Sequence, residues 1–74
     1  MVEKQILKLS KLCEHWAEHN NSHKENYIKW RNIAKENGLN SVVEKINKAI
    51  EMMEKSTKFL LSAKNDIEMK VDLT

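Results

Sequence analysis

The chain has 74 residues, enough for one small domain whose own core leaves little stability to spare. It has no proline, a single glycine and few aromatic residues, which argues against a turn-rich sheet protein and for an almost entirely helical one. The net charge of +2 comes from 13 basic and 11 acidic residues interspersed along the chain. Only Lys4, Lys8 and Lys11 cluster, too few for the concentrated basic face of a nucleic-acid module.

The first residues scatter charges among apolar positions and contain no run of signal-peptide or membrane-spanning length. Cys13 is the one cysteine, so the chain has no internal disulfide and none of the Cys spacings of structural zinc sites. A reducing, cytoplasmic location is the expectation.

Helix one is predicted over about 3–37. Alternating steps of four and three trace a seam through Val2, Ile6, Leu9, Cys13, Trp16, Asn20, His23, Tyr27, Trp30 and Ala34. Leu12, His19, Asn26 and Ile33 run beside it and widen the apolar stripe. Asn20-Asn21-Ser22 is poor helix material, and Ser22-His23-Lys24-Glu25 has the pattern of a capping box. The seam spacing nevertheless passes through this stretch without slipping, which predicts one continuous helix.

Gly38 marks the joint, because glycine takes the left-handed conformation that closes a helix. Ser41-Val42-Val43-Glu44 then reads as the capping box of a second helix over about 42–66. Its seam is Leu39, Val43, Ile46, Ile50, Met53, Thr57, Leu60, Lys64 and Ile67, with Val42, Ala49, Met52, Ser56, Phe59 and Ala63 alongside. Residues 69–74 are expected to be a frayed tail.

So short a joint makes the helices antiparallel, with facing residues whose numbers sum to roughly 78. That register sets Trp30 near Ala49, Trp16 near Leu60 and Ala63, and His23 near Met53 and Ser56. Met52 and Phe59 fall off the line that two helices can cover, so a lone hairpin leaves an apolar patch. Pairing two hairpins into a homodimeric four-helix bundle covers it, with Trp16, Tyr27, Trp30, Met52 and Phe59 as its core and dimer residues.

All three histidines, His15, His19 and His23, stand four residues apart on helix one. Neutral imidazoles at that spacing can share one ion; they ligate zinc, nickel, cobalt, copper and iron well, and zinc, nickel or cobalt is the expectation here. His19 and His23 lie nearer the seam and form the better pair; His15 is auxiliary, as are the carboxylates of Glu18 and Glu14. In a symmetric dimer the pair from each chain would make a four-nitrogen site. Cys13 projects about 160° away from His15 and belongs to the core instead. The plain structural alternative is that polar residues at seam positions only set register and partner number.

No catalytic pattern accompanies the histidines. Glu-x-x-His and His-Glu-x-x-His are both absent, as is any glycine-rich phosphate loop, so a non-enzymatic protein is expected. The run His15-Trp16-x-x-His19-Asn20-x-x-His23, followed by Tyr27, Trp30, Ala34 and Gly38-Leu39, resembles small helical-hairpin proteins and appended domains of anaerobic archaea and bacteria. The resemblance covers roughly residues 9 to 63, departs from the pattern at Cys13 and Asn21-Ser22, and implies a helical hairpin with transition-metal handling. Together these readings predict a small metal-binding or metal-delivery module. The alternatives are an interaction bundle without a ligand and a regulator that docks on a larger enzyme.

Overall fold

A computed structural model describes the backbone of residues 2–70 and the side chains from Lys4 onward. Helix α1 spans Val2–Glu36 and helix α2 spans Asn40–Lys70. They lie side by side as an antiparallel hairpin, a rod of 54 × 16 × 14 Å. Its length is that of α1 itself, since 35 residues rising about 1.5 Å each reach about 52 Å.

Helix α1 runs unbroken through Asn20-Asn21-Ser22. Two bonds account for this local tolerance. The Ser22 hydroxyl donates back to the Glu18 carbonyl at 3.4 Å rather than capping a new helix. Asn20 donates from Nδ2 to the Ser56 hydroxyl of α2 at 3.0 Å, giving the polar side chain a tertiary partner.

The joint is a Schellman closure. Leu39 N–H donates to the Ala34 carbonyl at 3.0 Å and Gly38 N–H to the Lys35 carbonyl at 3.1 Å, with Gly38 at a φ of 71°. The next helix opens at once, because Val43 N–H already donates to the Leu39 carbonyl. Leu39 is therefore the residue before the first turn, and Ser41 lies inside that turn instead of capping it. Helix α2 is longer at both ends than the expected 42–66, and Met69 and Lys70 belong to it. Residues 71–74 of the expected tail, and the side chain of the expected seam residue Val2, lie outside the described residues.

On α2 the face turned to α1 is the expected one: Ile50 is buried, and Val43, Ile46, Met53, Thr57, Leu60, Lys64 and Ile67 are half-buried. On α1 the seam is displaced. Residues Ile6, Cys13, Asn20, Tyr27 and Ala34 face α2 as expected, but Ser10, Ala17, Lys24 and Arg31 alternate with them where Leu9, Trp16, His23 and Trp30 were expected. Those four are exposed, Trp16 at 43% and Trp30 at 57%. The physical reason is the closeness of the two helices. Ser10, Cys13, Ala17 and Ala34 are all buried and all small, so the backbones approach where an indole would hold them apart.

The long side chains on this seam carry their charged ends out to one edge of the hairpin. There Lys24 meets Glu54 at 3.5 Å, Arg31 donates to the Asn47 side-chain oxygen at 3.1 Å, and Lys64 lies 3.6 Å from Glu14. Each of these pairs sums to 78, so the antiparallel register is the one read from the joint. Exposed pairs of this kind contribute about 0–1 kcal/mol each and fix register more than they stabilise.

Candidate functional site

The edge opposite those ion pairs carries the histidines. Helix α1 presents Leu9, Trp16, His23 and Trp30 there, with Leu12, His19, Asn26 and Ile33 one row further out. Helix α2 adds Val42, Ala49, Ser56 and Ala63, with Met52 and Phe59 outside them. Both helices turn the same flank of their seams to this side, so the rows form one continuous apolar face. Phe59 is 74% exposed and Met52 52%, and among the described residues no large side chain is fully buried in the hairpin. Trp16, Trp30, Met52 and Phe59 are therefore not core residues of the single chain; Tyr27 is half-buried at the seam.

Steps of four along a helix advance by about 40° beyond a full turn, so the histidine row climbs diagonally. It begins at the outward edge with His15 and ends beside the seam at Tyr27. Ring centroids are 6.4 Å apart for His15 and His19, 4.5 Å for His19 and His23, and 6.3 Å for His23 and Tyr27. Only the middle pair converges. Its rings meet edge to face, and Nε2 of His23 lies 2.9 Å from Nε2 of His19. With one N–H donating to the other ring's lone pair, this is a hydrogen bond whose direction depends on the tautomers.

The auxiliary groups are not brought in. Glu14 points to the opposite edge and pairs with Lys64. Among the described residues no group of three His, Cys, Asp or Glu side chains converges as metal ligands, so neither Glu18 nor His15 completes a site with the pair. Cys13 is a buried free thiol in the hairpin core. His23, expected on the seam near Met53 and Ser56, is exposed on its flank, and it is Asn20 that donates to Ser56. Tyr27 is the residue that sequence reasoning assigned only to packing, although its four-residue spacing from His23 extends the ring column.

A separate cleft of about 370 Å³ lies near the open end, lined by Lys4, Lys8, Lys11, Glu14, Lys64 and Glu68 among others. Its best-placed cation is already satisfied. Lys64 donates to Glu68 at 2.8 Å, and this hydrogen bond raises its pKa above the ordinary lysine value. Partial burial opposes the rise, and the charges of Glu68 and Glu14 add to it. The cleft thus ties the helix ends together and holds none of the histidines.

A family model described as a domain of unknown function, DUF8180, matches residues 9–67. The chain belongs to that family. The match takes in the displaced seam from Ser10 to Ala34, the Gly38 joint and the His19–His23 pair, so the DUF8180 domain here covers most of the hairpin. Comparison with the curated proteins and with the solved structures finds no match. Among the described residues of this DUF8180 chain, no helix is long and apolar enough to cross a membrane.

Proposed function

We propose that this DUF8180 protein is a small cytoplasmic metal-binding or metal-delivery module in which His19 and His23 are the ligand pair, for zinc, nickel or cobalt. The observation that carries the reading is the convergence of the two Nε2 atoms to 2.9 Å. An ion held about 2.05 Å from both nitrogens would subtend roughly 90° on that base, the cis angle of octahedral or square-planar coordination. Tetrahedral zinc needs the nitrogens about 3.3 Å apart, a separation that a small rotation of either ring supplies.

Two nitrogens make an incomplete site, and an exposed one. In a single chain the remaining positions stay available to water or to further ligands. The test is calorimetric titration of untagged, chelator-stripped protein with zinc, nickel and cobalt, beside His19→Ala and His23→Ala. Stoichiometric uptake in the wild type that each single substitution abolishes, and that His15→Ala leaves in place, is the expected result. Equal heats from the wild type and the double variant would end the metal reading.

A second reading has its own observation. The exposed row of Leu9, Trp16, Trp30, Met52 and Phe59 favours an interaction module in which the histidine hydrogen bond only orders the contact surface.

A further inference from the structure

The apolar face demands a cover, and its own symmetry says what kind. The chain exposes 6017 Å², whereas a compact 8.7 kDa chain exposes about 4,700 Å². Spread over the whole rod, the surplus of about 1,300 Å² is larger than the roughly 800 Å² that each partner of a stable complex contributes, and the exposed Leu9, Trp16, Trp30, Met52 and Phe59 gather their share of it on this one face. No charged side chain interrupts the inner rows on this side, Leu9, Trp16, His23 and Trp30 on α1 and Val42, Ala49, Ser56 and Ala63 on α2.

The α1 rows are also mirrored about Asn21. Leu9 reflects onto Ile33, Leu12 onto Trp30, Trp16 onto Asn26, and His19 onto His23. A helix laid antiparallel on a copy of itself, with a two-fold axis at the level of Asn21, therefore matches Leu9 with Ile33, Leu12 with Trp30 and the histidine pair with the partner's histidine pair, and sets Trp16 beside the polar Asn26. Helix α2 has the same centre. The Asn20–Ser56 hydrogen bond sets Ser56 level with that point, and Ala49 and Ala63 lie one heptad to either side of it. Small residues at the centre and at both flanks let two copies of α2 approach closely.

We infer that a second copy of this chain covers the apolar face, antiparallel, about a two-fold axis that passes between the two His19–His23 pairs and between the two Ser56 residues. The bundle has its two joints at opposite ends. Each copy contributes two imidazoles to a four-nitrogen cluster at its centre, so the site is incomplete in one chain alone. Completion of the ligand set rests on the metal reading, whereas the association itself rests on the face and its mirrored rows.

The experiment uses Ser56→Cys in a Cys13→Ala background, oxidised with diamide in the presence of chelator. The two introduced thiols meet on the axis and should form an intermolecular disulfide in high yield. Ala49→Cys alone should not cross-link, but an equimolar mixture of Ala49→Cys and Ala63→Cys chains should. A spin label at Glu36→Cys reads the geometry without touching the face. Fifteen residues from the axis on each chain, at about 1.5 Å per residue, separate the labels by about 45 Å along the bundle.

Wild-type protein that sediments as a monomer across the micromolar range would overturn the inference. So would a dimer without the Ser56→Cys cross-link and with Glu36 labels within about 25 Å, which places both joints at one end. A dimer of the inferred geometry that takes up no metal supports this inference and ends the metal reading. Metal uptake by a monomer supports that reading and overturns this one.

Discussion

Replacement of Ala17 by leucine tests the displaced seam at its tightest point. Ala17 is 2% exposed and lies, in the register set by Lys24–Glu54 and Glu14–Lys64, at the level of Leu61, next to the half-buried Leu60. Three added carbons have no space between two helices held together by Ser10, Cys13 and Ala17 itself. Overpacking of this kind costs about 1–3 kcal/mol. For a domain of this length each kcal/mol moves the melting temperature by about 4–8 °C, so Ala17→Leu should melt about 5–20 °C below the wild type. The assay is thermal unfolding followed by far-ultraviolet circular dichroism at fixed protein concentration, with chelator present. If Trp16 faced α2, Ala17 would stand at the rim with room for a larger side chain. An unchanged or raised melting temperature would refute the seam assigned to α1.

Three further outcomes follow from other parts of the hairpin. Gly38→Ala should cost about 1–2 kcal/mol through backbone strain alone, because φ is +71° and an added Cβ meets nothing within 4 Å; denaturant unfolding that shows no loss would contradict the left-handed closure. Lys64 has its pKa raised in the folded chain by Glu68, so its contribution is complete below the ordinary lysine value and is lost as pH rises through the higher folded value. The stability difference between wild type and Lys64→Met should therefore shrink in strongly alkaline solution, as read by melting temperature against pH, and a difference that grows there would be inconsistent with the raised pKa. Lys24→Ala should change stability by about 1 kcal/mol or less, because its partner Glu54 lies at the exposed edge; a double-substitution cycle with Glu54→Ala showing a larger coupling would mean that the pair is sequestered in the assembled protein.

The histidine pair was legible before any fold was known, because a four-residue spacing places two imidazoles on one flank of any helix. Its surroundings were not. Glu14, Glu18 and His15 all lie within five residues of His19, yet Glu14 is drawn across the hairpin to Lys64 and only the His19 and His23 nitrogens come together. Which carboxylate turns toward a site depends on the charges of the opposite helix, and those are set by register.

The sequence by itself determined two helices, the joint at Gly38 and the antiparallel register through local backbone preference and a short joint, and the face of α2 through its row of Val43, Ile46, Ile50, Met53 and Leu60. It did not determine which flank of α1 meets α2. The stripe with Leu9, Trp16, His23 and Trp30 and the stripe with Ser10, Ala17, Lys24 and Arg31 share Ile6, Cys13, Asn20, Tyr27 and Ala34, and both step by four and three. Periodicity cannot separate them, and hydrophobicity favours the first. Only the tertiary structure chose the second, because packing rewards close backbone approach over the small residues Ser10, Cys13, Ala17 and Ala34, and leaves the larger apolar side chains for a surface beyond the hairpin.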